Sequence, residues 1–240
     1  MSTKELILEE ALRQFSQKGF DGTSMSDIAG PLGISKAALY KHFESKQRIF
    51  EEIIAESEVK YKAFFEKLSV HFLTGSHETM NKQDVDVYSG ITSEGLCENV
   101  LAFVRFSMSD EYSGQVRRML TISQFQSREL GETYTRRYVD AMLGYDEKLF
   151  EQLMKAGVIK PGNPKVLAAM FYAPVIMYMG IWDREPDRAD ECEKAIRDHV
   201  EQFFTMTKHM GSVLQRTREK DLSFVFPLML LQVSLFSAQL

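Results

Sequence analysis

The chain has 240 residues, 44% of them hydrophobic, the composition of a globular protein with a real core. Its net charge of −5 speaks against broad, nonspecific nucleic-acid binding. The acidity is uneven: residues 1–50 hold seven basic and six acidic side chains, so a near-neutral head precedes an acidic remainder.

Residues 2–18 predict the first helix. Ser2 and Glu5 form a capping box, and Leu8, Ala11, Leu12 and Phe15 repeat at helical spacing. Gly19 is a natural stop. Ser24 with Asp27 opens a second helix, and Gly33 marks a turn. Ser35 caps a third helix that starts at Lys36. Ile28, Ala29, Leu32, Ile34, Leu39 and Phe43 are the inward side chains of this pair. Pro31 cannot donate a backbone hydrogen bond and crowds the preceding turn, so the second helix should be short or kinked. The pair reads as a helix-turn-helix, because a helix that is small and basic at its start suits a DNA major groove.

Ser45 predicts the cap of a longer fourth helix running to about Leu68, with Ile49, Phe50, Ile53 and Ile54 on one face. Residues 74–95 are polar and turn-rich and read as a loop. Leu96, Val100, Phe103, Val104 and Ser107 trace a further helix, broken near Asp110–Gly114. Others follow over Gln115–Phe125 and Glu129–Ala156. Residues 165–182 are apolar almost all round and must be covered on most sides. A last amphipathic helix over 187–208 aligns Ala189, Cys192, Ile196, His199, Val200 and Phe203. With no strand-like alternation, the fold class is all-α. The expected division is a head at 1–48, a body at 49–208 and an apolar extension at 209–240.

The spaced residues Gly19-Phe20, Asp21-Gly22-Thr23, Ile28-Ala29, Leu32-Gly33-Ile34-Ser35, Leu39-Tyr40-Lys41-His42-Phe43 and Lys46 resemble the tetracycline-repressor family of bacterial regulators. The resemblance covers about residues 5–54, with helical layout and length beyond. It implies a homodimer built on the helices near 165–182 and 187–208. It also implies a double-stranded DNA operator and a small apolar or amphipathic effector held in the body. Tyr40, His42 and Lys46, with Thr23 and Ser24, would hold phosphates, helped by helix N-termini. Lys36, Ala37 and Ala38, behind the Ser35 cap, would face base edges, while Lys41 suits either role. Each contact has a plainer alternative: Tyr40 packed on the first helix, His42 capping its own helix, Lys46 solvated.

Phe103, Phe106, Met108, Met119, Phe125, Tyr138 and Met142 lie on the helices expected to line the effector site, although such stripes also build ordinary cores. Arg105 suits an anion or a surface ion pair. No metal site is expected, since His42, His71, His77, His199 and His209 have no ligand spacing. No phosphate loop or metalloprotease motif occurs, so neither a cofactor nor an enzyme is expected. Cys97 and Cys192 are unpatterned and read as reduced, buried thiols, with a redox pair as the alternative. The N-terminus is unlike a signal peptide, so a cytoplasmic protein is expected. Residues 222–240 carry no charge and approach bilayer-spanning length. A packed helix, a membrane contact or a tail without a role all remain open. A regulator whose body binds a protein or membrane partner is the alternative to a small-ligand sensor.

Overall fold

In a computed structural model, residues 2–67 and 82–208 are described. The predicted tail 222–240 and His71, His77 and His209 lie outside them. Capping sets the head. Ser2 and Glu5 close a reciprocal capping box on α1 (Thr3–Lys18), and Ser24 and Asp27 do the same for α2 (Met25–Ala29). Such a cap contributes about 1 kcal/mol, a large share of the stability of a five-residue helix. Ser35 Oγ accepts from Ala38 N over 3.1 Å and starts α3 (Lys36–Tyr40). Ser45 Oγ accepts from Arg48 N in the first turn of α4 (Lys46–Lys67).

The second helix is short, as Gly30-Pro31 requires. α2 ends at Ala29, and Gly33, at φ +65°, closes the turn into α3. Gly19, at φ +77°, ends α1. That left-handed backbone favours glycine, and a Cβ there would also press on the flexible end of Gln126.

The body is α5 (Lys82–Gly90), α6 (Ser93–Ser109), α7 (Glu111–Ser123), α8 (Arg128–Thr135), α9 (Ala141–Lys155), α10 (Pro164–Arg184) and α11 (Ala189–Thr207). No strand occurs among the described residues, and the architecture is all-α. Two expectations are corrected. The expected loop 74–95 contains α5 and the start of α6, whose Thr92 cap went unread. The break at Asp110–Gly114 is the single residue Asp110, which ends α6 and caps α7. The helix expected over 129–156 is present as one uninterrupted helical run, α8 continuing into α9 through a π-helical turn, Arg136–Asp140.

The head does not stand alone. Ile7, Phe15, Ile28, Leu39, Ile49 and Ile53 share one core with Val116, Met119 and Leu120 of α7. Phe20 N donates to Ser123 Oγ over 2.9 Å, and Asp21 N to Gln126 Oε1 over 3.1 Å. A change in α7 is therefore felt directly at the head.

α6 carries two apolar faces rather than one stripe. Cys97, Leu101 and Val104 pack on α10 and α11, while Leu96, Val100 and Phe103 turn toward a cavity. α10 is the one helix among the described residues long and apolar enough to cross a bilayer. Its inner residues Ala168, Tyr172, Val175 and Met179 are core, but Val166, Met170 and Met177 are about half exposed.

Candidate functional site

Two places gather the chemistry. The first is the outer surface of α3. Leu39 and Phe43 are buried and anchor the helix in the head core. That leaves Lys36, Ala37, Tyr40, Lys41 and His42 exposed, with Ala38 half-buried. The Lys36 ammonium lies 5.9 Å from the centre of the Tyr40 ring. Small side chains at the start of the helix let its backbone approach a base edge, and the flanking cations and phenol reach outward. Ser24 is exposed at the head of α2, where its hydroxyl is held by Asp27.

Two expected phosphate contacts are corrected. Thr23 is 1% exposed, and its hydroxyl donates to Gly19 O over 3.0 Å. Lys46 turns inward. Its ammonium donates to Phe20 O over 2.6 Å and Thr23 O over 2.8 Å, and lies 4.2 Å from the centre of the Phe20 ring. Burial lowers its pKa below the usual lysine range, against a smaller raising effect of Asp21. Lys46 thus fastens the loop between α1 and α2. A lone lysine at a helix start gave no sign of this in sequence, because its acceptors are backbone carbonyls.

The second place is a cavity of about 150 Å³ in the body, walled by α5, α6, α9, α10 and α11. Of the residues expected at an effector site, Phe103 and Met142 line this cavity and four others do not. Phe106 stacks on Phe64 at 4.1 Å between centroids. Met119 is fully buried in the core shared with the head, and the Tyr138 ring packs in the same core. Phe125 is 91% exposed in the turn after α7. Met108 also packs elsewhere, against the α6–α10–α11 core.

The walls that went unread are Tyr145, Leu149 and Phe150 of α9, Phe171 and Tyr172 of α10, and Phe203 of α11. Among them stands one carboxyl, Asp146, 8% exposed. Burial alone pushes its pKa up to about 8. A signal was present in sequence: Met142, Tyr145, Asp146, Leu149, Phe150 and Leu153 form one helical stripe, apolar except for a single acid.

Arg105 forms a surface ion pair with Glu193, with Nη2–Oε2 at 2.6 Å. Cys97 and Cys192 are free and buried, with thiol pKa values raised by burial. No cluster of metal-ligating side chains occurs among the described residues.

Residues 7–53 match the family model for bacterial regulatory proteins of the tetR family. IcaR from Staphylococcus aureus, a negative transcriptional regulator of the icaADBC biofilm operon, is 47% identical over 51 residues. That match covers 21% of this chain and 27% of the relative. The transcriptional regulator AcrR from Shigella flexneri is 41% identical over 70 residues, covering 26% of this chain and 33% of the relative. The matches therefore span about a third or less of these relatives' length.

Solved structures extend the likeness in fold. The SmeT–triclosan complex matches with a TM-score of 0.64 at 20% identity, covering 92% of this chain and 99% of that one. NalD of Pseudomonas aeruginosa, the secondary repressor of the MexAB-OprM efflux pump, matches with a TM-score of 0.57 at 20% identity, covering 87% and 98%. The chain thus carries the DNA-binding domain of the tetR family of bacterial regulatory proteins, set on an all-α body with the fold of that family's solved members.

Proposed function

We propose that this protein is a cytoplasmic transcriptional repressor that binds a palindromic operator as a homodimer and releases it when a small molecule enters the body cavity. The observation that carries this reading is the shared core of head and α7. It ties an exposed, basic α3 to a body that contains an apolar cavity. In a dimer two α3 helices would enter successive major grooves, about 34–36 Å apart. Lys36, Ala37 and Ala38 would face base edges, and Ser24, Tyr40, Lys41 and His42 would hold phosphates. An effector that favours a body with the heads off that spacing weakens DNA binding by its differential affinity for the two states.

The exposed apolar residues Val166, Met170 and Met177 on α10 and Met206 on α11 supply the surface for the second subunit. The cavity supports a small ligand over a protein or membrane partner for the body. A triclosan complex of a protein with this fold is consistent with such a ligand.

Fluorescence anisotropy with the DNA upstream of the coding region tests this reading. Binding should be specific and steeply weakened by salt. Lys36→Ala with Tyr40→Ala should abolish it while leaving the dimer folded. A folded dimer with no preference for any upstream palindrome over random DNA overturns the repressor reading.

A further inference from the structure

The body cavity is apolar and aromatic on nearly every side, and a protein gains nothing from a buried carboxyl in such a place unless something meets it. Asp146 receives no hydrogen bond and forms no ion pair among the described residues. The neighbouring Tyr172 hydroxyl is engaged elsewhere, donating to Tyr138 O over 2.8 Å. Leu149, Phe150 and Val175 offer no donor. Asp146 is among the residues that line the cavity.

We propose that the cavity takes an organic monocation with a single-ring or short aliphatic body, and that Asp146 is the carboxylate that receives its charge. This rests on the reading of the cavity as the effector site and names the chemistry of the effector. Phe103, Phe150, Phe171 and Tyr145 also line the cavity, and aromatic side chains attract a cation stripped of water. A neutral apolar ligand would offer the carboxyl no partner. An anion would oppose it.

The carboxyl is protonated over most of the neutral range, because burial is the sole resolved cause acting on it. Binding of a permanent cation therefore ionises Asp146 and releases its proton to solvent. The titratable groups that face it are Tyr88 of α5, Tyr145 of α9, Tyr172 of α10 and Lys208 beyond α11, while α6 contributes Asn99 and apolar side chains. Tyr172 is held well above the usual phenol range by burial and stays neutral. Lys208 stands over the Phe204 ring, 4.8 Å from its centre.

The test compares two probes of the same shape, benzyltrimethylammonium and neopentylbenzene, on the full-length protein by calorimetry at about pH 8.5. The cation should bind at least about tenfold more tightly than its neutral isostere. Asp146→Asn should erase that preference, and Asp146→Glu, which keeps the charge, should retain part of it. At pH 7, titration in buffers of different ionisation enthalpy should show a proton released with the cation and none with the isostere. A wild-type protein that binds both probes equally, or an Asp146→Asn variant that keeps the preference, overturns the assignment and leaves the cavity as an uncharged ligand site. Failure of both probes to bind overturns the effector cavity together with it.

Discussion

The Tyr172 hydroxyl donates to the backbone carbonyl of Tyr138 over 2.8 Å, and both residues are buried. Tyr172 is a wall of the cavity, while the Tyr138 ring belongs to the core that α7 shares with the head. The acceptor lies in the π-helical turn between α8 and α9, a local departure from regular helix of the kind often found at functional sites. One hydrogen bond thus joins the cavity wall to the packing that positions α3. Tyr172→Phe keeps the ring and removes the bond, at a cost of about 1 kcal/mol. The melting temperature should fall slightly and DNA affinity without effector should stay within about twofold. The weakening of DNA binding by the cationic probe should shrink in the variant. Unchanged coupling in paired anisotropy titrations would remove this bond from the signal path.

Lys46 gives a second prediction, which separates architecture from contact. Its ammonium bonds to Phe20 O and Thr23 O, and the loss of charged bonds to buried carbonyls costs about 1.5–3 kcal/mol. Lys46→Met should lower the melting temperature and weaken every DNA sequence alike, through loosening of the α1–α2 loop. Lys36→Ala should leave the melting temperature unchanged, because Lys36 is exposed, and should lower operator affinity and specificity. The reverse pattern, a stable Lys46→Met protein with a reduced salt slope, would return Lys46 to the phosphate contacts.

The third prediction concerns the ion pair of Arg117 on α7 with Asp183 on α10, which is bidentate and nearly buried, with Nη2–Oδ1 at 2.5 Å. Arg117 Nε also donates to Ser107 O over 3.3 Å, so one side chain holds α6, α7 and α10 together. Removal of one partner strands a buried charge, and Arg117→Met should cost about 3–5 kcal/mol. Asp183→Leu added to Arg117→Met should recover most of that loss, because the pair's attraction largely offsets its desolvation. A urea titration of the two variants checks this. A double variant as unstable as the single one would show that the pair contributes more than its desolvation.

The head was legible because local rules decide it. Ser2, Ser24 and Ser35 cap their helices as their sequence contexts require, and Pro31 shortens α2 for a reason visible in its own ring. The cavity was not legible, because it forms between helices distant in sequence. Met119 and Phe125 share one apolar-looking helix run, yet one is fully buried and the other 91% exposed, since the end of α7 turns past Gly19. The family resemblance implies phosphate contacts for Lys46 and Thr23, but their partners are backbone atoms that only the folded α1–α2 loop brings near. Helical periodicity states which face of a helix is apolar. It does not state whether that face meets a core, a cavity or a second subunit.

The raised pKa of Asp146 makes stability depend on pH in a stated direction. Its folded value is about 8, set by burial, whereas an unfolded aspartate titrates near 4. Between those values the folded chain holds a proton that the unfolded chain has released. Unfolding is therefore increasingly favoured as pH rises through that window, and the contribution is flat below about 4 and above about 8. The slope approaches about 1.4 kcal/mol per pH unit for one group. Asp146→Asn has no proton to lose, so its stability should exceed that of the wild type by a margin that grows from about pH 5 to pH 8. Saturating benzyltrimethylammonium should raise wild-type stability most at the alkaline end of that range, where Asp146 ionises at least cost. Chemical denaturation of both proteins across the range reads the difference directly. Parallel curves for the two would mean that Asp146 titrates as an ordinary carboxylate, open to water in the native state.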